Sequence, residues 1–485
     1  MKKRILTGLA AMLAFGALVQ AQPTEKQISA LPILASLDSL TSVLYGSGML
    51  KNTNPVQADQ LDFSPERDLP QFPGALIQER MSSLGSEIPL EYNSYVKGFI
   101  DLYGRRKVEL TSKMMGLSEY YFPIYEEILD RNNLPLELKY LSVVESALNP
   151  KATSWAGASG PWQFIYSTGV RYGLTINSYV DERRDVYKST QAACDYFRDS
   201  YKLYGDWLLV IASYNCGPGN VNKAIRRAGG QKNFWAIQKY LPQETRGYVP
   251  AFVAVTYLMN FAAEHGISTT PAEFYSLVQA VEVDQLLTFE QLAVALDLSK
   301  EHLYDLNPHF TKDMVPDIGG SMTVYLPYHK AMHYACMRDS ICEMPLYDES
   351  GRAYRLDLSV EKVRYKVRKG DNLTSIAKKY HVTPSDIKEW NIVRKNRVVP
   401  GSYLTIHIDK KERVYLDLPD QPVLAEKVDP EKTEARYHTI KSGDTLYSIS
   451  RQYEGVTVDL LRKWNNLADN QVLVPGAVIK VAEGS

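Results

Sequence analysis

The C-terminal third of this 485-residue chain carries one pattern twice, and that repeat constrains the architecture more than any other feature. The first copy reads YKVRKGDNLTSIAKKYHVTPSDIKEWN at 365–391 and reaches VVPGSYLTI at 398–406. The second reads YHTIKSGDTLYSISRQYEGVTVDLLRKWN at 437–465 and reaches LVPGAVIKV at 473–481. Each predicts a strand, a Gly-Asp turn, two short helices ending in Trp-Asn, and a closing strand after Pro-Gly. The charged, proline-bearing stretch between them, 407–435, suits a linker. A weaker copy lies upstream: Leu292, Ala293, Leu296, Leu298, Leu303 and Asn307 match Ile376, Ala377, Tyr380, Val382, Ile387 and Asn391, each at an offset of 84. There Leu286-Leu287 replace the Gly-Asp turn, so 281–327 reads as a degenerate, structural repeat.

The length allows about three domains with separate cores. Lys+Arg 55 against Asp+Glu 56 leaves a net charge of −1, without the basic surplus that phosphate binding needs, so nucleic acid is not suggested as a partner. Tyrosine is abundant, 33 against 13 phenylalanines, which suits surfaces that meet sugar rings as well as ordinary packing. Lys2, Lys3 and Arg4 precede the apolar run Ile5–Val19, and small residues around Val19-Gln20-Ala21 resemble a signal-peptide cleavage site. The run is too short for a confident membrane span, and no cysteine stands at the cleavage point, so a lipid anchor there is unsupported. The expectation is an exported protein, periplasmic or associated with the cell envelope. Among four cysteines, Cys336 and Cys342 make the readiest local disulfide loop, while Cys194 and Cys216 pair or remain thiols. No histidine follows at ligand spacing, so neither a metal nor another cofactor is expected.

From 88 to about 270 helical patterns dominate. One helix is expected from Pro135, whose missing N–H is harmless early in a helix, to Asn149-Pro150. Leu134, Leu138, Leu141, Glu145 and Leu148 fall on one stripe of it, and Glu145 is the only charge in YLSVVESALNP (140–150). A carboxyl group in such surroundings is pushed towards its protonated form, ready to act as an acid near neutral pH. Three further motifs follow: GASGPWQF (157–164), ASYNCGPGNV (212–221) and ETRGYVPAF (244–252). Taken singly, they describe a packing turn, a helix stop and a core tyrosine.

In this order, with these repeats, the motifs resemble the goose-type-lysozyme-like lytic transglycosylases of family 1, specifically the membrane-bound lytic murein transglycosylase D group. The resemblance runs from about residue 88 to the C-terminus and rests on the Gly-Pro-Trp-Gln-Phe form of 160–164 and on repeats that look like LysM modules. It implies that Glu145 is the catalytic acid and base and that Ser146 contacts the sugar or its peptide. It also implies that Gly160 and Gln163 line the cleft, that Tyr214 and Asn215 hold the N-acetyl group or stabilise developing charge, and that Tyr248 orients Glu145 or substrate. The substrate would be peptidoglycan glycan strands. For the repeats it implies a glycan groove formed by Gly370, Asp371, Leu373 and Asn391 in one copy and Gly443, Asp444, Leu446 and Asn465 in the other.

The expected fold is α+β and multidomain, a mainly α lysozyme-like domain followed by small βααβ modules. Its expected divisions are a signal peptide (1–21), an N-terminal extension (22–87), the catalytic domain (88–275), the degenerate module (276–345), LysM 1 (362–408), a linker (409–435) and LysM 2 (436–482). Hydrolysis of a glycosidic bond usually requires a second carboxylate. Asp181, Glu182 and Asp185 in VDERRDVY are candidates, although Arg183 and Arg184 beside them suggest a salt-bridged turn. With Glu145 as the sole acid, the family's reaction recruits the substrate. The N-acetylmuramyl group steadies the cationic centre, and Glu145 takes the C6 hydroxyl proton to leave a 1,6-anhydromuramyl end. A water-using muramidase and a non-catalytic wall-binding scaffold are the rival readings.

Overall fold

The computed structural model describes residues 70–417 and 437–481, apart from 155, 273–276, 318–319, 349, 392, 394–396, 442–443, 454, 466 and 468–477. The expected signal peptide, most of the expected N-terminal extension, Gly443 and most of the expected linker lie outside the described residues.

The N-terminal part is helical: α1 (Gly74–Ser83), α2 (Ser94–Asp101), α3 (Val108–Arg131), α4 (Tyr140–Ser146), α5 (Tyr166–Arg171), α6 (Val186–Tyr204), α7 (Trp207–Cys216), α8 (Pro218–Arg227), α9 (Phe234–Ile237) and α10 (Gln243–Phe261). Helix α10 is apolar around most of its circumference, and Val249, Phe252, Val253 and Tyr257 are fully buried, as expected for a central helix. Helices α2, α4 and α7 pack on it. Side-chain caps set the helix starts: Asp185 accepts from Tyr187 and Lys188 N–H groups to open α6, and Asp206 accepts from Leu209 to open α7. Ile77, Met81 and Ile88 join the same core, so α1 packs with the catalytic helices although it precedes the boundary expected at residue 88.

The helix carrying Glu145 is shorter than its spacing predicts. A 3-10 turn, Leu136–Lys139, leads into α4, and the chain leaves the helix at Ala147 and Leu148, not at Pro150. Both residues are left-handed (φ 52 and 64) and buried. Left-handed geometry costs a non-glycine residue about 1–2 kcal/mol, so the surrounding packing must hold them there.

The degenerate module contains β1 (Val278–Val283), β2 (Leu287–Thr288), α11 (Phe289–Leu296), α12 (Lys300–Leu306), β3 (Met314–Val315), β4 (Met322–Pro327) and a helix absent from the repeat pattern, α13 (Tyr328–Glu343). Strands β1 and β4 pair antiparallel, with Val278 opposite Pro327. Cys336 and Cys342 both lie on α13, about 9 Å apart along its axis at 1.5 Å per residue, which exceeds the reach of a disulfide. All four cysteines are free, correcting the expected local loop.

Beyond β5 (Leu346–Tyr347) comes a long antiparallel ribbon, β6 (Ala353–Lys366) with β7 (Tyr403–Tyr415), paired from Tyr354↔Tyr415 to Lys366↔Tyr403. LysM 1 sits at its tip, with α14 (Leu373–Tyr380) and α15 (Pro384–Trp390) packed on Tyr365, Leu404 and Ile406. The ribbon extends past both expected limits of that module, and residues 409–415 are strand where a linker was expected. At its root Leu416 N–H donates to Ala353 O at 2.9 Å. LysM 1 also touches the helical part: Ser178 Oγ donates to Asp386 Oδ2 at 3.1 Å, and Lys388 Nζ lies 5.5 Å from the centre of the Tyr166 ring. LysM 2 has β8 (Tyr437–Thr439), α16 (Leu446–Ser450), α17 (Val458–Asn465) and β9 (Val478–Lys480) around its own small core.

One asparagine recurs in all three modules with the same bonds. Asn391 Nδ2 donates to Ile387 O (2.8 Å) and Thr405 O (2.6 Å), while its Oδ1 accepts from Thr405 N–H (2.7 Å). Asn465 bonds Leu461 and both backbone groups of Lys480, and Asn307 bonds Leu303 and both backbone groups of Tyr325. The residue staples the end of the second helix to the closing strand.

Candidate active site

Glu145 leaves the last turn of α4 into a cleft of about 550 Å³. Gln163, Phe164, Ile165, Tyr214, Asn215 and Glu244 line the cleft with it, and Arg171, Tyr172, Tyr196, Asp199 and Leu203 extend its walls. The residue is half-buried by surface area, because it forms the floor of an open cleft, while its carboxyl group is enclosed by protein. Its Oε1 accepts a hydrogen bond from the Tyr248 hydroxyl, whose ring is buried behind it. Burial pushes the Glu145 carboxyl up to about 8; the Tyr248 bond opposes the shift and the charge of Glu244 adds to it. Burial, reinforced by Glu145, drives the Tyr248 phenol well above its ordinary range, so it remains a donor.

The turn at 157–164 is the hub of the site. Gly160 adopts φ +86, and a Cβ there would stand 1.7 Å from Arg183 O, so only glycine fits. The Pro161 carbonyl lies 3.0 Å from Ser142 Oγ and 2.9 Å from Ser146 Oγ, both on α4. Trp162 is buried; its indole donates to Thr190 Oγ1 at 2.8 Å, and its carbonyl accepts from Tyr214 OH at 2.6 Å. Gln163 is left-handed (φ 47), and its amide donates to Gly160 O (2.8 Å) and Ala152 O (3.2 Å).

Of the residues named from the sequence, Glu145, Gln163, Tyr214 and Asn215 meet in the cleft, and Tyr248 touches Glu145 from behind. Asn215 Oδ1 accepts from Thr245 Oγ1 at 2.7 Å. Ser146 does not reach the cleft: it is fully buried and bonded to Pro161, because one helical step from Glu145 turns it about 100° inward. Gly160 lies beneath the surface against Arg183. The rival carboxylates also serve the fold. Asp181 bonds Arg183, Glu182 bonds Lys188 Nζ (2.6 Å) and Thr175 N–H (2.6 Å), and Asp185 caps α6. The sequence reading missed Glu244, Asp199 and the wall residues. For the α6 wall the sequence held a signal, the helical spacing of Tyr196, Asp199 and Leu203; in the structure Leu203 (58% exposed) and Ile165 (49% exposed) are large apolar residues left in the open.

Most of the candidate glycan residues of the repeats make contacts within their own modules. Leu373 and Leu446 are buried in the two module cores. Asp371 Oδ2 accepts from Arg368 N–H and Tyr365 OH, both at 2.7 Å; Asp444 Oδ2 accepts from Lys441 N–H at 2.8 Å and bonds His438 Nε2 at 2.9 Å. Asn391 and Asn465 are committed to the staple. Gly370 (φ +96) lets the turn reverse. Among the described residues no cluster of His, Cys, Asp or Glu could hold a metal ion, and no helix is long and apolar enough to cross a membrane.

Residues 123–237 match the transglycosylase SLT domain, 365–407 and 438–482 the LysM domain, and 278–341 the LysM-like domain of lytic transglycosylase MltD. A helical SLT domain whose cleft is floored by one carboxyl, followed by LysM modules, defines a cell-wall lytic transglycosylase. The membrane-bound lytic murein transglycosylase D of Escherichia coli (strain K12) is 30% identical over 378 residues, covering 77% of this chain and 78% of that protein. The chain belongs to that lytic transglycosylase D family. The soluble lytic murein transglycosylase of the same organism is 27% identical over 157 residues, 30% of this chain and 24% of that one. Among solved structures, the 70 kDa soluble lytic transglycosylase of Escherichia coli matches 50% of this chain and 38% of its own at 18% identity, with a TM-score of 0.29.

Proposed function

We propose that Glu145 alone is both acid and base in a non-hydrolytic cleavage of the β-1,4 bond between N-acetylmuramic acid and N-acetylglucosamine. The observation that carries this reading is its position: an enclosed carboxyl on the cleft floor, held protonated up to about pH 8 and touched by a neutral donor, Tyr248. Glu145 gives its proton to the bridging oxygen as the C1–O bond breaks. The muramyl acetamido oxygen supports C1, and the Glu145 carboxylate then takes the C6 hydroxyl proton while O6 bonds C1. Atoms balance without water, and nucleophile and electrophile share one ring, so positioning supplies much of the acceleration. In this reading Gln163 and Asn215 bind the substrate beside this centre, and the half-buried rings of Tyr196 and Tyr214, backed by buried Phe164, meet its sugars.

Glu244 favours one alternative. It lies in the same cleft, one helical turn before Tyr248, and a second carboxylate could activate water for hydrolysis. Mass spectrometry of digested peptidoglycan decides between them: anhydromuramyl ends with Glu145→Gln inactive and Glu244→Gln active support transfer, whereas reducing ends abolished by Glu244→Gln support hydrolysis. The two intact LysM modules bind glycan and raise the local substrate concentration for the cleft. The leader at 1–21 would deliver the enzyme to the periplasmic face of the envelope, and the catalytic unit begins at α1.

A further inference from the structure

The degenerate module lacks the Gly-Asp turn, yet it is joined to the catalytic domain by a built seam. Asp181 N–H donates to His309 O at 2.8 Å and Thr311 N–H to Tyr179 O at 2.9 Å, with Val180 bridged antiparallel to Phe310. Val180 is fully buried and packs in the module's apolar core. Tyr325 OH lies 3.2 Å from Asp185 Oδ1, and its ring stacks on Tyr187 with centroids 4.7 Å apart. Lys151 Nζ pairs with Asp305 at 2.5 Å.

The other side of 181–184 bears on the active-site hub. Asp181 holds the Arg183 guanidinium through both oxygens (2.8 and 2.7 Å), a bidentate pair that fixes its plane. That guanidinium donates to Gly157 O (2.8 Å) and Phe164 O (3.1 Å), one at each end of the 157–164 turn. The Arg183 carbonyl fills the space beneath Gly160, and Arg184 Nε reaches Ser159 Oγ at 3.1 Å. The turn in turn holds Gln163 in its left-handed conformation and α4 through Pro161. A continuous set of bonds therefore runs from His309 and Thr311, through Asp181 and Arg183, to Gln163 and the helix of Glu145.

We propose that the 278–343 module is a buttress of the active site, and that Arg183 is the positioning residue through which it holds Gln163 and Glu145 in register. This rests on Glu145 as the catalytic group. A module that has lost its ligand turn is kept for its seam, and the reaction depends on that seam because a small misplacement of the acid relative to the sugar is costly.

The test uses the full chain, soluble glycan fragments, and the variants Arg183→Lys and Tyr325→Phe/Thr311→Val; the second removes, from the module's side alone, the Tyr325 hydroxyl bond to Asp185 and the Thr311 Oγ1 bond to Ser178 O (2.6 Å). Ile341→Val, a core change on α13, is the control for lost stability. In seam variants kcat is expected to fall at least about tenfold while KM stays within about twofold, the pattern of a displaced catalytic group. The control, at an equal loss of Tm, should keep kcat. A folded seam variant with unchanged kcat, or a control that loses kcat equally, would overturn the proposal and leave the module a plain stabiliser. Wild type and Glu145→Gln run alongside: anhydromuramyl ends from the first and none from the second uphold the Glu145 reading whatever the seam variants do.

Discussion

On the proposed mechanism Glu145 begins the reaction protonated, and burial pushes its carboxyl up to about 8. The kcat/KM of the free enzyme should therefore fall as pH rises through about 8, read from a pH–rate profile. The causes give signs for its neighbours. Glu244→Gln removes a negative charge that favours the protonated form, so this limb should move to lower pH. Tyr248→Phe removes a bond that favours the carboxylate, so the limb should move up while kcat falls. Stability has its own sign: folded Glu145 retains a proton that the unfolded chain releases above about 4.5, so the native state loses stability from there up to about 8. Glu145→Gln should therefore be more stable than wild type at pH 7.5, by up to about 1.4 kcal/mol per unit of that window, and nearly equal at pH 4.5 in denaturant titrations. The enclosed carboxyl was legible because one charge stands in an apolar run. Ser146 was not, because adjacency in sequence is a 100° turn on a helix. Gly160 was not, because its reason is a carbonyl contributed by Arg183, twenty-three positions away.

At the scale of elements, the repeats announced strand, helix, helix and strand through their own spacing, but not which polar residues serve the fold. Asn391 looked like part of a ligand loop and proves to be a staple. Asn391→Ala leaves the Thr405 N–H and two carbonyls without their partner, so LysM 1 should lose about 1–3 kcal/mol, read as faster amide exchange over 373–406 in the full chain. Asn465→Ala should do the same to LysM 2 alone. The ribbon was misread as linker because a two-stranded element wet on both faces carries charges without apolar alternation. Helix α13 escaped notice because it lies outside the repeat that drew attention to its surroundings. Its two cysteines then seemed a loop, a reading that holds only if the chain between them is not helical.

For the whole molecule, the seam between catalytic domain and degenerate module contains buried His309, whose pKa burial lowers from 6.5 against the opposing charges of Asp185 and Glu182, with Lys188 assisting. The unfolded chain takes up a proton below about 6.5 that the folded seam resists, so stability should fall as pH drops through that value. The Tm difference between pH 7.5 and 5.5 should shrink in His309→Gln. Ending the chain after Asp417 should spare turnover of soluble fragments and weaken sacculus binding, measured by cosedimentation. The return of Leu416 to Ala353 has a different consequence. Everything between those residues is a cassette whose two ends meet, so LysM 1 can be drawn in without cutting the path of the chain. Deleting facing residues two pairs at a time keeps each remaining side chain on its own face and shortens the arm by about 3.4 Å per pair. The ribbon is thus an adjustable ruler, and its present length is the one that brings Asp386 to Ser178.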